Sequence, residues 1–152
     1  MIASQNCFNL IKNFEGFRSG AYLDQAGIPT IGYGFTHYPN GVQVKMGDAS
    51  MSEQQGDYYL TLVIQPYEQA INDFVTVTLN QNQFDALVDF CYNLGQNALK
   101  TSTLLDILNK GDYKGASEQF PLWCHCDGVK NQGLLNRRLA EQSLFNTEVS
   151  NV

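Results

Sequence analysis

A glutamate, an aspartate and a threonine fall within sixteen residues near the start of the chain: Glu15, Asp24 and Thr30. Two carboxyl groups can divide acid and base work when their environments differ. One must hold its proton near neutral pH and give it to a leaving oxygen. The other must stay ionised, to steer water or to stabilise positive charge at a sugar carbon. Glycoside hydrolysis has these needs. Glu15 ends a helical pattern, where the negative end of the helix dipole disfavours a further negative charge. Its neighbours Phe14 and Phe17 can strip water from it. We therefore expect a raised pKa for Glu15, and an ionised Asp24 in a polar turn. A titration of Glu15 that returned an ordinary model-peptide value would remove this basis. With fifteen acids in 152 residues, the spacing alone does not distinguish such a site from a solvated helix-end glutamate and a turn aspartate.

The elements that must position these residues can be read from periodicity and punctuation. Ser4 is placed to cap a first helix, with Cys7, Phe8, Ile11 and Phe14 on one face and Gly16 as the stop. Tyr22-Leu23 and Thr30 to Phe35 are β-like, separated by the turn-like Gln25-Ala26-Gly27. Pro39-Asn40-Gly41 signals a hairpin before Val42-Gln43-Val44, so a small antiparallel sheet is expected over about residues 21–46.

Beyond the sheet the pattern is helical to the end. Ser52 with Gln55, and Asn80 with Gln83, are capping-box pairs. The first opens a long segment running to about Asp73, with Pro66 a break or kink. The second opens a helix with Phe84, Leu87, Val88, Cys91 and Leu94 on one face, closed by Gly95. Shorter helices follow over Thr101 to Lys110 and from Asp112 to Phe120. The last helix spans about Leu134 to Phe145, and a polar tail over 146–152 should fray.

The expected fold is α+β and mainly α: a small antiparallel β lobe and a larger helical lobe joined by a long helix. Residues 1–152 form one domain. The β lobe with the active-site segment covers about 15–50, the connecting helix about 51–75 and the helical lobe about 76–145, with the N-terminal helix over 4–15. A cleft between two lobes is a natural ligand site.

Composition narrows the function classes. The hydrophobic fraction is 43% and the charged fraction 16%, as in a globular chain. The net charge of -6 speaks against nucleic acid as partner, because phosphate binding needs a basic face. No apolar run is long enough to span a membrane, and the first residues lack the basic and apolar regions of an export signal. Cys7, Cys91, Cys124 and Cys126 read as free thiols. Cys124-His125-Cys126 has the wrong spacing for zinc and no second ligand pair, so no metal site is expected.

Glu15-Gly16-Phe17, Ala21-Tyr22-Leu23-Asp24 and Pro29-Thr30-Ile31-Gly32-Tyr33-Gly34 together resemble the catalytic segment of the phage-type lysozymes, glycoside hydrolase family 24. The family pattern E-x(8)-D-x(5)-T is matched without a gap. The resemblance continues through Gln83 to Val88, Tyr92 to Gly95, Ser102 to Leu105, Asn109 to Tyr113, Phe120 to Trp123, and Gly133 to Arg138 with Ala140-Glu141. It covers roughly residues 10–145.

That resemblance implies an endolysin that cleaves the β-1,4 bond between N-acetylmuramic acid and N-acetylglucosamine in bacterial peptidoglycan. Glu15 would be the general acid, Asp24 would position or activate the attacking water, and Thr30 would hold that water. Inversion at the sugar carbon would follow, with the carboxyls about 6.5–9.5 Å apart. No cofactor is implied. The expected protein is a monomer that waits in the host cytoplasm and is then released to the wall. Two other readings stay open: a lytic transglycosylase on the same substrate, which needs the acid but not Asp24 and Thr30, and a non-catalytic wall-binding module.

Many members of the family carry histidine where this chain has Phe35, and here His37 comes two positions later. The change is expected to bear on the sheet lobe's stability more than on chemistry. Arg137 and Arg138 are either solvated or locally salt-bridged or, as the resemblance implies for one arginine of the helical lobe, near the catalytic glutamate. Trp123, Tyr113 and Phe120 are expected in the core rather than in a sugar groove. His37 and His125 are read as surface residues. Asp48, Glu53 and Asp57 are read as a solvated acidic face, and Gln81 and Asn93 as cap or turn residues.

Overall fold

The computed structural model describes residues 1–149. The chain divides into two compact units, Ile11–Pro66 and a second made of Met1–Leu10 with Tyr67–Val152. Helix α1 (Gln5–Glu15) contributes to both.

The Ile11–Pro66 unit contains the end of α1, strands β1 (Arg18–Leu23) and β2 (Pro29–Gly32), a long loop, and helix α2 (Glu53–Val63). The strands pair antiparallel, with Tyr22 opposite Thr30 and Leu23 opposite Pro29. An irregularity between Arg18 and Tyr22 shifts the register, so Arg18 lies opposite Gly32. The β-like run expected through Phe35 stops at Gly32. There the chain turns back on itself, and Ile31 and Phe35 exchange two backbone hydrogen bonds of 2.9 Å each. Glycines at Gly32 and Gly34, with φ of +64° and +80°, permit this reversal, which a side chain would strain. The Pro39-Asn40-Gly41 hairpin signal yields a tight turn, with Gly41 N–H donating to the Tyr38 carbonyl and a single bridge between His37 and Gln43, rather than two full strands. Ile11, Ile31, Tyr33, Phe35, Val44, Met51, Leu60 and Ile64 form the core of this unit. Ser52 caps α2 by accepting from Gln55 N–H at 3.1 Å.

The helical segment beyond Ser52 is interrupted at Ile64, and helix α3 (Gln65–Phe74) follows. Pro66 has no N–H to continue the ladder and is tolerated in the first turn of the new helix. In the second unit, helix α4 (Gln81–Leu94) is buried on nearly every face. The Asn80–Gln83 capping box opens it, and Gly95 closes it. Around it lie helices α5 (Gln96–Lys100), α6 (Thr103–Asn109), α7 (Tyr113–Ser117) and α8 (Gln132–Phe145), with a short 3-10 turn over Phe120–Leu122. Rings of Phe90, Phe120, Trp123 and Phe145 pack edge-on or tilted, with centroids 5.4–5.8 Å apart.

Three local readings change. Ser4 does not use its hydroxyl as a helix cap; that hydroxyl donates to Asp85, and its N–H donates to the same carboxylate at 3.0 Å. The chain beyond the first sheet is not helical throughout: β3 (His125–Cys126) and β4 (Val129–Lys130) make a second antiparallel hairpin. Asp127 and Gly128 at its tip have φ of +51° and +77°, as a two-residue hairpin turn demands. The tail is held as far as Thr147, whose carbonyl accepts from Asn82 at 3.0 Å and whose hydroxyl donates to Ser143 at 2.7 Å. The expected fraying over 150–152 lies outside the described residues.

Candidate active site

Glu15 is the last residue of α1, and it is half-buried. The helix stops there because Gly16 takes φ +68° after its N–H donates to Lys12 at 2.9 Å. The Glu15 carboxyl lies against the backbone of Gly34. A methyl group at Gly34 would sit 2.5 Å from Oε2 and 3.1 Å from the carboxyl carbon. The reversal after β2 thus forms one wall of the glutamate's position, and only glycine leaves room for it.

Asp24 follows β1 in the turn that leads to β2. Its Oδ1 accepts from the N–H groups of Ala26 at 2.8 Å and Ile28 at 2.9 Å. No described residue donates to Oδ2, which is therefore open to a water or a ligand. Thr30, on β2, is 3% exposed, and its hydroxyl donates to the Ile28 carbonyl at 2.8 Å. The hydroxyl oxygen keeps its acceptor capacity.

The Tyr22 phenol feels the charge of both carboxylates. Burial raises its phenol pKa first, and then the Glu15 and Asp24 charges add to it, against the opposing Arg18. Both carboxylates thus act on one ring. The Arg18 guanidinium stacks on that ring 4.5 Å from its centroid. All three expected site residues, Glu15, Asp24 and Thr30, lie in the Ile11–Pro66 unit on neighbouring segments. A hollow of about 410 Å³ in this unit is lined by Tyr38, Asp48, Gln55 and Tyr59 and contains none of the three.

The acidic face is not simply solvated. Asp48 accepts from the Tyr38 hydroxyl at 2.8 Å and Lys45 N–H at 2.9 Å, which hold its carboxyl below the usual range. Tyr38 in turn is pushed up to about 12 by burial and by that carboxylate. Asp57 accepts from Lys12 at 2.7 Å and from the Tyr33 hydroxyl at 2.9 Å. The Lys12 hydrogen bond holds Asp57 low. Phe35 is buried at 2% exposure, packs edge-on to Tyr33 at 6.2 Å and lies close over Gly32. It is an apolar plug under the reversal.

Arg137 and Arg138 are both buried. Arg137 makes a two-pronged pair with Asp89, at 3.0 and 2.7 Å. Arg138 pairs with Glu141 at 2.5 and 2.8 Å, and donates to Asn93 at 2.8 Å. Asn93 is thus an acceptor for a buried cation rather than a turn residue. Phe120 is in the core, Trp123 packs on Phe90, and the Tyr113 hydroxyl donates to the Thr78 carbonyl at 2.6 Å. His37 and His125 are exposed. All four cysteines are free thiols: Cys124 is buried and Cys126 exposed.

Reading by residue type gave Gly34, Lys12 and Tyr33 no role of their own and took Asp57 for part of a solvated face. A weak signal existed for the first: Gly32 and Gly34 two apart in a β-like run permit a chain reversal. For Lys12 the signal was its place one helical turn before Glu15. Nothing in the sequence joins Asp57 to either.

The model of the phage lysozyme family matches residues 12–141. The endolysin of Bacillus phage PZA is 40% identical over 97% of this chain, but the chain spans only 56% of that protein. The endolysin of Salmonella phage P22 is 40% identical over 95% of the chain and 98% of its own length. Among solved structures, an endolysin from Escherichia coli O157:H7 phage FAHEc1 superposes with a TM-score of 0.90 at 37% identity, covering 98% of this chain and 96% of that one. Matched over most of its length in family model, sequence and backbone, the chain belongs to the phage lysozyme family.

Proposed function

We propose that this chain is an endolysin that hydrolyses the β-1,4 bond between N-acetylmuramic acid and N-acetylglucosamine in bacterial peptidoglycan. The observation that supports this reading is that the turn of Asp24 and the strand of Thr30 are tied at one carbonyl, in the same unit that holds Glu15. Glu15 is backed by Gly34, and Asp24 and Thr30 share the Ile28 carbonyl. Relatives named endolysins, matched nearly end to end, support it.

In this mechanism Glu15 protonates the departing glycosidic oxygen. Asp24 has one oxygen locked into its turn and the other open, so it can orient a water from a fixed position. Thr30, whose hydroxyl proton is committed to Ile28, offers that water only a lone pair. A water gripped by two acceptors presents its own lone pair to the sugar carbon. This geometry suits direct attack by water, hence inversion. The steps need no cofactor from outside the chain.

The transglycosylase reading is less well supported, because the open Asp24 oxygen and the Thr30 acceptor have no task in it. No helix among the described residues is long and apolar enough to cross a membrane. We propose a monomer that acts on the wall after release from the host cytoplasm.

Digestion of purified murein followed by mass analysis of the fragments tests the function. Reducing muramic ends are expected; anhydro-muramic ends would favour transglycosylation instead. Glu15→Gln should abolish fragment release. Equal release by that variant would remove Glu15 from the role of acid.

A further inference from the structure

Asp57 stands on α2, away from the three residues assigned to chemistry, yet two contacts from it reach both sides of Glu15. Its Oδ1 accepts from Lys12 Nζ at 2.7 Å. Lys12 lies on α1, one turn before Glu15 and on the same helix face. The same Oδ1 accepts from the Tyr33 hydroxyl at 2.9 Å. Tyr33 is 2% exposed and directly precedes Gly34, whose backbone meets the Glu15 carboxyl. One carboxylate oxygen therefore ties together the helix that carries the acid and the turn that walls it.

The surroundings reinforce this tie. Lys12 Nζ lies 5.5 Å over the Tyr33 ring. The Phe17 ring, two residues after Glu15, packs on Tyr33 with centroids 5.3 Å apart. Gly56, beside Asp57, is pressed against both rings: a methyl group there would sit 2.8 Å from Phe17 and 3.3 Å from Tyr33. So α2 approaches closely at this point, and Asp57 is its polar contact.

Stability does not account for such an arrangement. The Lys12 and Asp57 side chains are 30% and 46% exposed, and ion pairs that exposed contribute little to folding. A second consequence is electrostatic. A lysine three residues before a glutamate can pair with it along the helix. Asp57 engages Lys12 and so competes with Glu15 for it.

We propose that Asp57 is a positioning residue for Glu15. Acting through Lys12 and Tyr33, it sets α1 against the 32–34 reversal and keeps the acid where the leaving oxygen must arrive. This rests on the assignment of Glu15 as the acid.

The test compares Asp57→Ala, Asp57→Asn and Asp57→Glu with the parent on soluble peptidoglycan fragments. It measures kcat and KM separately, with thermal melting alongside. Asp57→Ala should lower kcat on the order of 10- to 100-fold, as expected for a small misplacement of a reacting group. KM should stay within about twofold, because substrate contacts are untouched. Asp57→Asn keeps an acceptor for Tyr33 but loses the negative charge that faces Lys12, and should fall between. Asp57→Glu should restore part of the rate. Lys12→Met combined with Asp57→Ala should cost less than the two single effects together. A kcat within twofold of the parent in Asp57→Ala, or a loss that merely follows the melting temperature, overturns the proposal.

A readout free of activity separates this proposal from the function it rests on. The NMR cross-peak between the Glu15 γ-protons and the Gly34 α-protons should weaken in Asp57→Ala and persist in Asp57→Glu. If neither the parent nor Glu15→Gln releases fragments, the glycosidase reading fails, and the cross-peak alone decides whether Asp57 positions Glu15. An unchanged cross-peak in Asp57→Ala refutes the positioning.

Discussion

Asp24 and Thr30 are joined through one atom, the carbonyl oxygen of Ile28. It accepts from the Asp24 backbone N–H at 3.0 Å and from the Thr30 hydroxyl at 2.8 Å. The Asp24 side chain closes the same turn through the N–H groups of Ala26 and Ile28. The aspartate therefore has two separable duties, shaping the turn with one oxygen and presenting the other.

Those duties predict different outcomes for two substitutions. Asp24→Asn keeps a carbonyl oxygen for Ala26 and Ile28, so melting should move little. It loses the charge, so hydrolysis should fall by about 100-fold or more. Asp24→Ala loses the turn bonds as well and should melt earlier. Calorimetry and fragment release on the same samples check this. A fully active Asp24→Asn would restrict Asp24 to the turn.

Thr30 offers a cleaner separation. Thr30→Val keeps the shape and removes the hydroxyl. The Ile28 carbonyl still holds Asp24 N–H, so no buried acceptor is orphaned, and the stability cost should be about 1 kcal/mol. Turnover should drop at least tenfold if a water is held there. Thr30→Ser should keep most of the activity. Equal turnover by the valine variant would exclude the hydroxyl from water binding.

Gly34→Ala tests the wall behind the acid. The left-handed φ of +80° costs an L-residue about 1–2 kcal/mol. The added methyl meets Glu15 Oε2 at 2.5 Å, so the carboxyl must move. The variant should unfold at lower denaturant and lose activity out of proportion to that shift. Gly41→Ala, also at positive φ but with open space around it, should lose stability alone.

The pH dependence of stability has two opposing contributions. Asp57 is held low by Lys12, but its exposed side chain contributes little to folding. Asp89 is held low because the hydrogen bonds from Glu141 and Arg137 outweigh its burial. Stability from Asp89 is present above the ordinary carboxylate value of about 4 and is lost as pH falls through its folded value. Glu141 runs the other way. Burial and the neighbouring Asp89 raise it well above the usual range, against the opposing Arg138. Its contribution is present below the ordinary value and is lost as pH rises through the folded one. Urea midpoints should therefore fall as pH drops below about 4, where the Asp89 contribution is lost and that of Glu141 no longer changes. The gap between the parent and Glu141→Gln should narrow as pH rises. A gap constant with pH would mean that Glu141 titrates as in the unfolded chain.

Much of the scaffold was legible because it is written in local chemistry. The stop of α1 at Gly16, the Asn80–Gln83 box and the closure of α4 at Gly95 each depend on residues within a turn of one another. The second hairpin could have been read the same way, since Asp127-Gly128 is a strong two-residue turn signal, but two-residue strands have no period to reveal them. The end of β2 at Gly32 was missed because glycine pairs permit a reversal without requiring one.

By itself the sequence determined the order and spacing of the three candidate site residues, and the resemblance that joins them. Only the tertiary structure decided what surrounds them. That Gly34 backs Glu15, that one carbonyl links Asp24 to Thr30, and that Asp57 grips both Lys12 and Tyr33 are contacts between segments up to 45 residues apart. Separation along the chain carries no periodic or capping signature across such distances. They form because burial of Ile11, Ile31, Tyr33 and Leu60 in one core brings α1, the 32–34 reversal and α2 together, and polar groups at its edge then pair with whatever the packing sets beside them.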